Sequence, residues 1–228
     1  MIAVIMATYN RADTLPRAID SVLRQSHRDW ELLIVDDGST DATPMVLEAL
    51  VDPRIHIYRH PENRGVGAAK NTGLDHISGE WFTTLDSDDE MIPEALEVML
   101  ASAERTGAAA ITCNGVDAAT GQLTGSGPTA DGWLTPEQTG RCRVDYWGLT
   151  RTSLLGELSF DERVPNHQAP VGSGSTGTPA ATTCIAPWPS FTPRVQTGCT
   201  KHNGGQAASA TGFMCTSPSE KTRATCAS

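Results

Sequence analysis

Apolar and polar positions alternate along the first half of the chain in blocks of strand and helix length. Ile2 to Ala7 is an apolar run of strand length, closed by the polar break Thr8-Tyr9-Asn10-Arg11. Helical spacing follows, with Leu15, Ile19, Val22 and Leu23 on one face and Asp13 or Thr14 placed to cap it. Leu32 to Val35 is a second apolar strand, ending in Asp36-Asp37-Gly38-Ser39-Thr40-Asp41. Thr43 and Pro44 mark another helix start, with Val46, Leu47 and Leu50 on its apolar side. Ile55 to Arg59 alternates as a third strand, and Asn63-Arg64-Gly65-Val66-Gly67 is a loop into a helix from about Ala68 to Ile77. Trp81 to Leu85 is aromatic, β-branched or apolar throughout, which suits a short strand covered on both faces. A helix from Pro93 to about Arg105, stopped near Gly107, and a strand from Ala109 to Cys113 complete the series.

Strands alternating with helices predict an α/β fold, a mostly parallel sheet with helices on both faces. Ligands of such sheets sit outside the carboxyl ends of the strands. Thr8-Tyr9, Asp36-Asp37 and Asp86-Ser87-Asp88 each follow directly on a strand, so the topology gathers them at one edge. Asp86 and Asp88 lie two apart, and two converging carboxylates repel unless a cation sits between them, which points to a hard divalent metal. The competing use is structural: Asp88 or Asp89 is placed to cap the helix that Pro93 opens. Gly65-x-Gly67 lacks the third glycine of a dinucleotide fingerprint, and no Gly-Lys-Ser/Thr marks a P-loop. An ordinary turn explains those two glycines, while Lys70 is placed to meet a phosphate as a point charge. His56 and His60, on or beside a surface-like strand, are expected to be solvated.

Composition narrows the partners. With 228 residues and a formal net charge of -10, the chain is a poor match for a nucleic-acid polymer, which is bound through clustered Lys and Arg. A small anionic ligand held through a metal remains compatible. No apolar run approaches the roughly 18 residues of a membrane span, and the N-terminus lacks the basic segment of a signal peptide. A cytoplasmic location, or one peripheral to the membrane, is expected. Six cysteines include no C-x-x-C pair, and four of them lie beyond residue 180, so neither a zinc site nor a disulfide framework is indicated. From about His167 the pattern stops. Residues 171–228 contain no Leu and no Asp, with Glu220 the one acid, and Ser, Thr, Ala, Gly and Pro dominate. Such a composition buries no useful core. The expected organisation is therefore a domain over 1–166 and an irregular or disordered tail over 167–228. That tail reads either as a natural flexible segment or, preferably, as an out-of-frame translation beginning near residue 167.

Four stretches carry a resemblance when taken together and in order. They are Val4-Ile5-Met6-Ala7-Thr8-Tyr9-Asn10, Ile34-Val35-Asp36-Asp37-Gly38-Ser39-Thr40-Asp41, Asn63-x-Gly65-x-x-x-Ala69-Lys70-Asn71-x-Gly73 and Leu85-Asp86-Ser87-Asp88-Asp89. Over about residues 1–166 the chain resembles family 2 glycosyltransferases. The resemblance implies the GT-A fold, a nucleotide-diphosphate-sugar donor, Mn²⁺ or Mg²⁺, a glycan or other hydroxyl acceptor, and inversion at the anomeric carbon. It places Thr8, Tyr9 and Asn10 in the nucleoside pocket and Asp37 on the nucleobase. Lys70 stands where the family often has Arg, near the nucleotide. Asp86, Ser87 and Asp88 match the family's Asp-x-Asp at the donor, with Asp88 ranked before Asp86 as direct metal ligand. Asp145-Tyr146-Trp147-Gly148-Leu149, Ser153-Leu154-Leu155-Gly156 and Phe160-Asp161-Glu162-Arg163 resemble the acceptor side, where Trp147 either stacks on a sugar face or packs in the core. The family is expected to supply an acidic general base just after Phe160-Asp161-Glu162-Arg163, and none stands there. The catalytic base is therefore unassigned, and a donor-binding but catalytically impaired module is the competing reading. A sugar nucleotidyltransferase is disfavoured, because no Gly-rich loop with Lys and Arg follows the first strand.

Overall fold

A computed structural model describes residues 1–116, 118, 120–122, 132–134, 148–156, 159–160, 162, 170–171, 183–185 and 212–214. The first half runs β1 (Ile2–Thr8), α1 (Leu15–Leu23), β2 (Trp30–Asp36), α2 (Thr43–Glu48), β3 (Ile55–Arg59), α3 (Val66–Leu74), β4 (Trp81–Thr84), α4 (Ala95–Thr106) and β5 (Ala110–Thr112). Short strands follow: β6 (Asn114–Val116), β7 (Gly132–Leu134), β8 (Gly148–Arg151), β9 (Ser159–Phe160), β10 (Pro170–Val171), β11 (Thr183–Ile185) and β12 (Gly212–Met214). The main sheet has the order β3-β2-β1-β4-β8-β5-β11-β7. Its first four strands are parallel, with Ile2 to Thr8 in register with Trp30 to Asp36, and β8 runs antiparallel to both β4 and β5. The fold is the mostly parallel α/β sheet with helices on both faces that the alternating pattern implies.

The period of two along the central strands decides what each face meets. Ile2, Val4, Met6, Leu32 and Ile34 join Leu15, Ile19, Val22, Leu47, Leu96 and Met99 in one core beneath α1, α2 and α4. Ala3, Ile5 and Leu33 face the other way, against Leu74, Ile77 and Phe82 on the α3 side. Close approach there depends on Gly73: a Cβ at this position would lie 2.4 Å from Ile5 Cγ2. β3 closes the parallel end and turns His56 and Ile57 to solvent.

Several boundaries differ from the sequence expectation, each for a local reason. α3 starts at Val66 rather than Ala68, because Gly65 (φ 93) ends the loop one residue before it. It stops at Leu74, and the chain to Ile77 closes with the tighter bonds His76 N–H to Gly73 O and Ile77 N–H to Leu74 O. α4 begins at Ala95 with Glu94 at its N-cap, so neither Asp88 nor Asp89 caps it and that structural use is excluded. Its end is as expected, at Gly107 in the left-handed conformation (φ 70). Thr14 does occupy the N-cap of α1, but its side chain caps nothing there.

Within 167–228 the described residues are β10, paired with β9, β11, paired with β5 and β7, and β12, paired with β6. The rest of that segment and Trp147 lie outside the described residues. Among the described residues no helix is long and apolar enough to cross a membrane.

Candidate functional site

The parallel ladder ends in polar turns at one edge. Thr8 and Asp36 are the last register pair of β1 and β2, and Asp37 N–H donates to the Thr8 carbonyl at 2.8 Å. Leu85 N–H likewise donates to the Ile5 carbonyl at 2.9 Å, carrying β4 up to Asp86. The Thr8 hydroxyl is buried and makes no hydrogen bond, an unmet polar group of the kind that marks a functional edge. Tyr9, beside it, is 40% exposed. Asn10 has a positive φ of 52, a conformation Asn tolerates better than most residues. Its Oδ1 accepts the Thr40 N–H at 2.8 Å, and its N–H donates to Ser39 Oγ at 2.9 Å. Asn10 therefore clamps the β1 turn to the β2 turn as well as lying at the edge.

Asp37 is almost fully buried and saturated from one side. Its Oδ1 accepts His60 Nδ1–H at 2.7 Å and Arg64 N–H at 3.0 Å, and its Oδ2 accepts Gly65 N–H at 2.7 Å. Those backbone donors lie at the entry to α3, so Asp37 supplies the anchoring carboxylate that the helix's own N-cap, a glycine, lacks. The expectation of a solvated His60 is corrected here: the imidazole is buried between Asp37 and Thr72 Oγ1, which lies 2.9 Å from Nε2. His60 follows directly on a strand that is half exposed, and periodicity carries no record of the helix that covers it. His56 is exposed, as expected.

At the end of β4, Asp86 to Asp89 form a tight turn, with Asp89 N–H donating to the Asp86 carbonyl at 3.0 Å. Lys70 is 2% exposed and places Nζ 3.2 Å from Asp86 Oδ1. The two charges attract at that distance more strongly than in bulk water, because the site is shielded from solvent. Asp88 remains partly open, with Arg11 Nη2 at 3.8 Å from Oδ2. Ser87 is buried, and its carbonyl accepts the Thr14 hydroxyl at 3.1 Å. Burial pushes the neighbouring Glu90 carboxyl up, against the lowering pull of Arg17 and Arg24.

Sequence reasoning missed how the segment beyond β8 meets this edge. Asn71 Oδ1 accepts Phe160 N–H at 2.7 Å while its Nδ2 donates to the Phe160 carbonyl at 3.0 Å, as a neighbouring strand would. Glu162 is drawn in by Asn71 Nδ2 at 2.9 Å and by Arg64 at 3.5 Å. The Phe160 ring then lies 5.7 Å from Lys70 Nζ. Lys70, Asn71 and Gly73 thus use one helix to reach three things: the acid turn, the later strand and β1.

A cation at this edge would be held mainly by Asp88, with Asp86 shared with Lys70. Among the described residues no three His, Cys, Asp or Glu side chains gather as a complete cage. That donor set fits a Mg²⁺-like ion, which takes one or two protein carboxylates and completes its shell from phosphate and water.

Residues 3–151 match the family model of glycosyl transferase family 2. Succinoglycan biosynthesis protein ExoO of Rhizobium meliloti is 42% identical over 107 residues, 47% of this chain and 31% of that protein. The Escherichia coli enzyme WfgD, UDP-Glc:alpha-D-GlcNAc-diphosphoundecaprenol beta-1,3-glucosyltransferase, is 37% identical over 100 residues, 44% of this chain and 40% of that protein. The matched stretch is thus under half the length of these curated relatives. In fold, the chain is similar to S. aureus TarS 1–349 in complex with UDP, with a TM-score of 0.61 at 21% identity over 73% of this chain and 52% of that one. The family match covers well over half of the chain and contains all three strand-end turns that build the edge, so the chain belongs to glycosyl transferase family 2.

Proposed function

We propose that this chain binds a nucleoside-diphosphate sugar together with Mn²⁺ or Mg²⁺ at the carboxyl edge of β1, β2 and β4, for transfer of the sugar to a hydroxyl acceptor with inversion. The observation that carries this reading is the pairing of a partly open Asp88 with an Asp86 backed by buried Lys70, beside Thr8 and Asp37. Solved TarS structures hold UDP and UDP-GlcNAc, which supports a donor of the same class. Tyr9 offers an exposed ring to the nucleoside, and Asp37 Oδ2 keeps one lone pair for a base N–H beyond the one that Gly65 uses. Asn10 fixes the spacing between those two groups.

When bound, the cation supplies positive charge against the diphosphate oxygens, which is worth most as the glycosidic bond breaks and that charge grows. Lys70 holds Asp86 in place, and Arg11 lies at the mouth as a second counter-charge to phosphate. In an inverting displacement the acceptor oxygen bonds to the anomeric carbon as the carbon–phosphate-oxygen bond breaks, and the acceptor proton passes to a base. Glu162 is engaged by Asn71 at 2.9 Å and by Arg64 at 3.5 Å. That favours the second reading, a chain that binds donor and turns over slowly.

Calorimetry of the full chain with UDP, GDP, CDP and dTDP tests the proposal. One of them is expected to bind with Mn²⁺ and to lose affinity in EDTA, and a folded Asp88→Ala chain is expected to lose at least about 10-fold. Wild-type affinity in the Asp88→Ala chain would overturn the metal assignment, and no binding of any of the four would overturn the donor site.

A further inference from the structure

α1 carries two stripes. The apolar one, Leu15, Ala18, Ile19 and Val22, enters the core. A polar one runs beside it at helical spacing through Thr14, Arg17 and Ser21, and reaches Gln25 just past the helix end. Every member of this second stripe meets the acidic turn or the segment that follows it. Thr14 Oγ1 donates to the Ser87 carbonyl at 3.1 Å. The Arg17 guanidinium reaches the Asp88 carbonyl at 3.5 Å and the Glu90 carboxylate at 2.8 Å. Ser21 Oγ accepts Met91 N–H at 3.0 Å. Gln25 donates Nε2–H to the Ile92 carbonyl at 2.7 Å and accepts Leu96 N–H on Oε1 at 3.1 Å.

Two features separate this from incidental packing. Thr14 occupies an N-cap, where a threonine hydroxyl ordinarily accepts from its own helix, yet it is directed at a carbonyl 73 residues away. Ser21 and Gln25 are buried polar side chains in an apolar layer, an arrangement that costs stability unless every polar atom is met. Apolar packing alone holds two elements together without fixing their register. Hydrogen bonds to the carbonyl or amide groups of Ser87, Asp88, Met91, Ile92 and Leu96 fix it.

We propose that Thr14, Arg17, Ser21 and Gln25 are positioning residues that set the backbone of residues 87–92 so that Asp88 presents its carboxylate in the orientation a divalent cation requires. This rests on the assignment of Asp88 made above. None of the four touches cation or nucleotide. An octahedral ion tolerates little error in ligand direction, and partners that orient a metal ligand typically control about 10- to 100-fold in metal affinity.

The test uses the full chain and whichever of UDP, GDP, CDP and dTDP binds it tightest. Affinity is measured with Mn²⁺ and with EDTA for wild type, Thr14→Val, Thr14→Ser and Ser21→Ala, alongside amide exchange of residues 87–92. Thr14→Val and Ser21→Ala are expected to lose about 10- to 100-fold in Mn²⁺-dependent affinity, with EDTA affinity unchanged and Met91 exchanging faster. Thr14→Ser, which keeps the hydroxyl, is expected to bind as wild type. Wild-type Mn²⁺ dependence in Thr14→Val and Ser21→Ala, or equal losses with Mn²⁺ and EDTA, overturns the positioning role while leaving Asp88 as the metal ligand. Absence of Mn²⁺ dependence in the wild-type chain itself overturns the Asp88 assignment, and the positioning role with it.

Discussion

Asp37 shows how one side chain can serve fold and ligand together. It pairs with buried His60 and with two backbone amides at the entry to α3. Asp37→Ala leaves those donors unmet in the interior, at a cost on the order of 3 kcal/mol. If Asp37 also reads the nucleobase, the same change lowers nucleotide affinity by about 10- to 150-fold, since a hydrogen bond to a charged group contributes about 1.5 to 3 kcal/mol. Urea unfolding and calorimetry on one preparation separate the two. Lost stability with wild-type affinity would leave Asp37 as an anchor of α3 alone.

Among the elements, the α3–β1 contact leaves no room for a side chain at Gly73. Gly73→Ala drives a methyl to 2.4 Å from Ile5 Cγ2, and overpacking of this kind costs about 1 to 3 kcal/mol. The cost should shrink in an Ile5→Ala background, because the crowded methyl is then gone; additive losses in urea unfolding would disprove the contact. At the start of β3, Asp52 is held down to about 2 by its hydrogen bonds from Arg54, whose guanidinium stacks 3.7 Å from the Trp30 ring centroid. A carboxylate with a lowered folded pKa stabilises fully above its unfolded value, about 3.9, and loses that contribution as pH falls towards 2. The melting difference between wild type and Asp52→Asn should therefore close between those values. It should be small throughout, below about 1 kcal/mol, because solvent screens the pair. A difference that persists unchanged at pH 2 would show that the ion pair is not its source.

Across the whole molecule, each described group of the proposed donor site lies before residue 90, at the ends of β1, β2 and β4, in the turns that follow them, and in α3. Removal of everything after about residue 170 should therefore leave nucleotide affinity within roughly threefold of the full chain, an affinity change below about 1 kcal/mol. Turnover is a separate matter. A positioned base typically contributes about 10²- to 10⁴-fold to rate, so with Glu162 engaged elsewhere the full chain should release nucleotide from a sugar donor very slowly. Rapid transfer by the full chain, abolished by the truncation, would place catalytic groups beyond residue 170.

The order of strands and helices, the parallel sheet and the acidic strand ends were legible in the sequence, because a period of two or 3.6 reports directly which side of an element faces the core. Asp86 and Asp88 stood out as an acidic strand end for the same reason: a strand ends and charge begins. What each polar side chain meets was decided only in three dimensions. His60 joins Asp37 across 23 residues, Lys70 joins Asp86 across 16, and Thr14 joins Ser87 across 73. Periodicity assigns a residue to a face but does not say which neighbour covers that face, so a buried histidine looked solvated and a threonine cap turned out to hold the acidic turn instead.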